Sequence, residues 1–400
     1  NATRNAAAVD TVYQKIQAKA KVLPTVEGLP TGAQMGAVSK ANLRQWFFTP
    51  ASTDAECTKM FEHRFRVQTT GTGSYNHTGD PNVSLQPFTK QGLTQMWTVC
   101  EALPPAHVEN NPRLMNILRD QNNGPGNAYY AGPQNGAQGD ILMGYGNDGQ
   151  LAQNVGGNLD NIYQAGGTGP GAPAVNMPMY NATLRHEIGH AVDASLNVMD
   201  TWGRQEVAGG WTKYGSYTEF VDAIIAASGG MSYGDANTNK QYREAMIHAV
   251  SQRPKVSFTA ACTAKGITPP AANPGGAVGV VWDPATYADT GSPWYNSNWV
   301  TAGGRNFQDA YGSSTSLYSF LANVRAARMV TAYQWRAPGE WFAEAYQVYY
   351  SEQEAGPGAP VGGRLRSKDA EAAQMISQIC DRGYSPQQMN GGTVAKAPGT

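Results

Sequence analysis

Leu184-Arg185-His186-Glu187-Ile188-Gly189-His190-Ala191-Val192-Asp193 is the stretch on which the reading of this chain turns. It contains His-Glu-x-x-His and takes up two of the chain's six histidines. On a helix, residues four apart lie one above the other on the same face. His186 and His190 can therefore offer ring nitrogens to a single Zn²⁺, with Glu187 beside them to take a proton from a water. The competing reading is a helix whose two histidines face solvent or sit hydrogen-bonded in a core.

A catalytic zinc takes three protein ligands and leaves one position open. A third histidine six residues past His190 would supply the ligand, but position 196 is Leu and position 193 is Asp. Asp193 is expected to orient a neighbour or cap a contact. Downstream, Ala337-Pro338-Gly339-Glu340-Trp341-Phe342-Ala343-Glu344-Ala345-Tyr346-Gln347-Val348-Tyr349 reads as a helix, with Pro338 suited to its first turn. Glu340 and Glu344 share one face of it, and two carboxylates on an aromatic, apolar helix are costly without partners. Zinc for Glu340 and a histidine N–H for Glu344 would satisfy both. A solvent-facing Glu pair on an amphipathic helix explains the pattern equally well. Glu206, Glu219, Glu244 and Asp193 stand behind Glu340 as further ligand candidates.

His186 to Asp193 followed by Glu340-Trp341-Phe342-Ala343-Glu344-Ala345-Tyr346 resembles the two zinc-binding helices of anthrax lethal factor-like metalloproteases, gluzincins related to the Pro-Pro endopeptidases. The resemblance implies Glu340 as third ligand and Glu344 as partner of a ligating histidine. It also implies oxyanion support from Tyr333, seven residues before Glu340, although a chain with 20 tyrosines could place one there in a core. Leu103-Pro104-Pro105-Ala106-His107-Val108 through Asn111-Pro112, with a strand at 140–145, resembles the start of that catalytic domain. The implied fold is α+β: a mainly helical zincin-like domain with a small sheet and an edge strand. In such relatives the gap between the two helices is far shorter than the 150 positions from His190 to Glu340, which implies a large insertion within about 200–325. Residues 1–90 lie outside the resemblance, as a helical N-terminal region before a catalytic domain at 91–400.

Bulk properties fit an enzyme. Four hundred residues can bury one large core or two modest ones, and 41% hydrophobic content excludes a disordered chain. A net charge of −1 gives no footprint for nucleic acid or anionic membrane. No run approaches the roughly 18 apolar residues of a membrane span. Only 15% of residues are charged while Gly reaches 46, a surface composition that leans towards a secreted protein. Numbering opens at Asn1, not Met, which leaves room for a removed leader. Cys57, Cys100, Cys262 and Cys380 form no Cys-x-x-Cys zinc pair. Proximity in the chain favours disulfides Cys57–Cys100 and Cys262–Cys380, with buried thiols as the rival reading.

Along the chain, helices are expected around 9–20, at Leu43–Phe47, at Pro112–Leu118 and at Leu317–Met329. A strand is expected over Asp140–Tyr145, and loops over 121–139 and 146–173. Ala174–Met179 reads as an edge strand that an extended substrate could pair with. His63, His77, His107 and His248 read as core or surface residues. Tyr287, Trp294, Tyr295 and Trp299 are expected to pack an irregular insertion, with the lining of a substrate or carbohydrate cleft as the rival reading. These features together read as a secreted zinc endopeptidase acting on a protein or peptide. The alternatives are a zinc-containing hydrolase or binding module for cell-wall glycans, and an inactive interaction protein on the same scaffold. Cleavage specificity and oligomeric state are not encoded in any of these motifs.

Overall fold

The computed structural model describes residues 48, 50, 52–71, 83–124, 127–132, 139–144, 147–151, 178–230, 235–252, 256, 258–269, 298–310, 313–331, 333–351 and 361–381. These form a mixed α+β structure with eleven α-helices and two four-stranded sheets among the described residues. The helices expected around 9–20 and 43–47, the run 174–177 and the aromatic set at 287–299 fall wholly or mainly outside them. The chain divides into two compact units: 1–159, 163–197 and 346–364 form one, and 160–162, 198–345 and 365–400 the other.

In the first unit, α1 (Asp54–Phe65) opens with a capping box, Thr53 and Glu56 each bonding the other's backbone amide. It packs on α2 (Lys90–Glu101) through Phe61, Phe65 and Trp97, with ring centroids 4.7–6.2 Å apart. Burying each such ring contributes about 1.5–3 kcal/mol. The sheet contains β1 (Leu85–Gln86), β2 (Asn116–Asp120), β3 (Ala128–Ala131) and β4 (Asp140–Gly144), in the order β1-β2-β4-β3. β2 and β4 run parallel, Ile117 opposite Ile141, and both outer pairings are antiparallel. After the sheet comes α3 (Met179–Leu196), which packs against β3.

β4 was expected; β2 and β3 correct the sequence reading. Pro112–Leu118 is not a helix, because Ile117 and Leu118 belong to a buried strand. A short apolar run in a parallel pair is hydrophobic on both faces and mimics a buried helix. The 121–139 loop contains β3, whose two tyrosines pair with β4. Met179, the last residue of the expected edge strand, is instead the first residue of α3 after Pro178 at the N-cap.

In the second unit, α4 (Val198–Trp202) leads into a four-stranded antiparallel sheet that the sequence reading lacked. Its strands are β5 (Thr212–Tyr214), β6 (Asn298–Ala302), β7 (Arg305–Asp309) and β8 (Leu317–Leu321), ordered β5-β8-β7-β6. Helices α5 (Tyr217–Ala227), α6 (Ala236–Ser251) and α7 (Phe258–Ala264) share a core with it, built from Phe220, Ile224, Met246, Phe307 and Leu317 among others. The helix expected over 317–329 is therefore half strand; only α8 (Ala322–Arg328) is helical. Residues 317, 320, 321 and 324 happen to match helical spacing, but β8 has strands on both sides and its pairing outweighs that local pattern.

A turn at Tyr333–Trp335 precedes α9 (Pro338–Tyr350), which begins at Pro338 as expected. The division between units falls within α9, after Ala345. α10 (Gly363–Lys368) and α11 (Ala370–Ile376) close the described chain before a π-helical turn at Ser377–Asp381. Asp369, buried, caps α11 by accepting from the Ala372 amide at 2.9 Å. Burial pushes its carboxyl up to about 6, against the pull of Arg328 at 3.5 Å.

No disulfide joins the four cysteines, which corrects both expected bridges. Cys57, Cys100 and Cys262 are buried thiols and Cys380 is half-buried. Burial raises the Cys57 thiol to about 11 and pushes Cys100 higher still. Among the described residues, no helix is long and apolar enough to cross a membrane.

Candidate metal centre

α3 is buried on nearly every face: Tyr180, Leu184, Ile188, Ala191 and Val192 sit in the core together with Arg185, His186 and Glu187. It shows no clean apolar stripe for that reason, and the histidine spacing is what reads. It ends at Asn197, whose left-handed backbone (φ 55°) lets its amide bond the Asp193 carbonyl. His186 Nε2 and His190 Nε2 face each other at 3.1 Å, with ring planes crossing at 82°.

Glu340 lies in the first turn of α9, where the helix dipole favours a carboxylate. Glu340 and Glu344 are each only 7% exposed, so the solvent-facing alternative for the pair is excluded. His186, His190 and Glu340 form a group that could hold a metal ion, their three ligand atoms all lying within 4.8 Å of one another. The donor set fits the ion expected. Two ring nitrogens bound to one tetrahedral Zn²⁺ at about 2.0–2.1 Å would stand about 3.3 Å apart, close to the separation seen. Two imidazoles and a carboxylate are ordinary zinc ligands, and the same set accepts other divalent transition metals.

Tyr333 is half-buried, and its hydroxyl donates to Glu340 Oε1 at 3.2 Å. The Arg336 guanidinium lies 5.6 Å from the Tyr333 ring centroid. Glu187, 4% exposed, follows His186 directly on α3. Asp193 is half-buried and outside the three-residue group; its charge is felt by Tyr130 on β3. Burial pushes the Tyr130 hydroxyl up to about 12, and that hydroxyl donates to the Arg113 carbonyl at 2.7 Å. The substitute ligands Glu206, Glu219 and Glu244 are all exposed and outside the group; Glu219 accepts from the Gly215 amide at 2.7 Å.

Among the other histidines, buried His107 bonds the Tyr346 hydroxyl through Nδ1 at 2.8 Å. His248 Nδ1 meets Gln252 Nε2 at 3.1 Å. His77 and the His63 side chain lie outside the described residues. Two arginines escaped the sequence reading. Arg185, wholly buried, donates from Nε to the Gln347 carbonyl on α9 at 3.3 Å. Arg336, 6% exposed, donates from Nε to the Ala310 carbonyl at 3.2 Å. The only signal for either was a charged residue within an apolar or aromatic run.

No protein-family model, curated protein or solved structure matches this chain.

Proposed function

We propose that the chain is a zinc-dependent endopeptidase of zincin-like architecture, akin to the anthrax lethal factor-like metalloproteases in its two ligand-bearing helices. The observation that carries this reading is the convergence of His186, His190 and Glu340 on one point, with Glu187 next to the first ligand. Zinc, when bound there, would acidify a water and polarise a peptide carbonyl. Glu187 is the proton carrier: its carboxylate takes a proton from the attacking water and delivers it to the leaving amine. Its burial matters, since a carboxylate shielded from bulk water acts in a lower effective dielectric. The Tyr333 hydroxyl, which donates to Glu340 in this structure, donates instead to the carbonyl oxygen as that atom gains negative charge. Glu344, buried one turn below Glu340, acts by orienting a ligating imidazole.

A peptide substrate binds extended, adding to a strand edge. The strand for this role is β3, last in its sheet among the described residues and packed on α3. Secretion belongs to the same reading, on the charge-poor, Gly-rich composition.

Metal analysis of the purified chain and cleavage of a diverse peptide library test the reading together. Glu187→Gln is expected to keep stoichiometric zinc and lose about 100- to 10,000-fold in cleavage rate. A variant that cleaves as fast as the parent would falsify the assignment of Glu187. Bound zinc with no cleavage in the parent points to the glycan-hydrolase or scaffold alternatives.

A further inference from the structure

Gln308 is the fourth of the five residues of β7 and is wholly buried. Its Nε2 donates to the main-chain carbonyls of Trp335, at 2.7 Å, and Arg336. A primary amide nitrogen carries two N–H groups, and here they meet two consecutive carbonyls. Those carbonyls belong to the short segment between Tyr333 and Glu340. A wholly buried amide, opposite Tyr318 in the β7–β8 pairing, is unfavourable unless its hydrogen bonds are made. Leu or Met would fill the space at lower cost while leaving the two carbonyls unserved.

The same segment is gripped from other sides. Gln334 Oε1 accepts from the Val330 amide at 3.0 Å, and the Gln334 amide donates to Thr331 Oγ1 at 2.9 Å. Arg336 holds the Ala310 carbonyl, one residue past β7. The Trp335 indole stacks on Trp211, centroids 5.9 Å apart, and tilts against Phe320 of β8 at 4.9 Å. Gly209 packs into this seat at φ 99°, where a Cβ would fall 2.8 Å from Trp211 Nε1 and 3.1 Å from Trp335. The antiparallel sheet thus reaches the segment by hydrogen bonds from β7 and by ring packing from β8.

We infer that Gln308 is a positioning residue for the proposed peptide hydrolysis: through the carbonyls of Trp335 and Arg336 it fixes the segment from which Tyr333 and Glu340 project. The sheet formed by β5 to β8 is then part of the catalytic apparatus and not an appended module. The inference rests on the peptidase reading for its kinetic consequence, and on the metal group alone for its effect on ion binding.

Gln308→Met keeps the side-chain length and removes both N–H donors. It is expected to lower kcat about 10- to 100-fold with KM within about twofold, and to raise the zinc dissociation constant, measured by chelator competition, about 10-fold. In a double-mutant cycle, Tyr333→Phe is expected to cost at most a few-fold in the Gln308→Met background, far less than in the parent, because its hydroxyl is already displaced. A folded Gln308→Met with unchanged kcat and zinc affinity, or with a full Tyr333→Phe penalty, overturns the inference. If the parent binds zinc and cleaves nothing, the peptidase reading fails, and the zinc dissociation constant still decides whether Gln308 holds Glu340. Should Gln308→Met not fold, Gln308→Asn, one carbon shorter with both donors kept, is read the same way. An intermediate loss supports the inference and parent values overturn it.

Discussion

α3 and the Tyr333–Trp335 turn contribute to one candidate site in opposite ways. α3 carries its chemistry in local spacing: His186, Glu187 and His190 are put in relation by helix geometry alone, whatever surrounds them. The turn has some local hydrogen bonds of its own, from Val330 and to Thr331, but it is also held from outside. Trp211, Gln308 and Phe320, distant in sequence, contact Trp335, which lies between Tyr333 and Glu340. A spacing survives in a sequence as a motif, whereas the distant residues that hold the turn, Trp211, Gln308 and Phe320, leave no local trace.

The comparison breaks most visibly at the metal. His190→Ala removes one of the three proposed ligands and is expected to abolish stoichiometric zinc binding and with it all cleavage, read by metal analysis of the dialysed protein. Full zinc occupancy in that variant would mean that α3 does not bind the ion. Tyr333→Phe is gentler: zinc should stay bound while kcat falls about 100-fold, the usual cost of one oxyanion donor. If kcat does not move, the turn serves only structure. The smallest effect concerns a buried carboxylate in a different setting, Asp369 beside Arg328. Its native value of about 6 exceeds the unfolded value of about 3.9. The native state therefore binds the proton more tightly, and this group's contribution is complete below about pH 4 and lost as pH rises through 6. The loss is on the order of 2–3 kcal/mol at neutral pH. Asp369→Asn keeps a side chain able to cap α11 and removes the titration. Thermal midpoints of the variant should fall less steeply than the parent's between pH 4 and 6; equal slopes would show that Asp369 is not the source.

How far the sequence could be read follows the same line. The helix from Pro338 was legible because proline and a following apolar run are local signals, and β4 because five apolar-rich residues stand between loops. β2 and β8 were not, since each is a strand through its pairing on both sides, β2 between β1 and β4 and β8 between β5 and β7, while its own apolar residues fit helical spacing equally well. The Glu340–Glu344 pair could be placed on one face of a helix, yet whether that face met solvent or interior depended on tertiary packing. The expected disulfides failed for a similar reason. Nearness in the chain says little about whether two cysteines meet in the geometry a bridge needs.

The thiols of Cys57 and Cys100 have a use as a clock. With its value near 11, about one Cys57 in a thousand is thiolate at pH 8, and even that one is sealed inside the first unit. An alkylating reagent can react there at an appreciable rate only when the helices part. Slow uptake at Cys57 and Cys100, read by peptide mapping apart from Cys262 and Cys380, therefore counts spontaneous openings of the α1–α2 pair without a mutation.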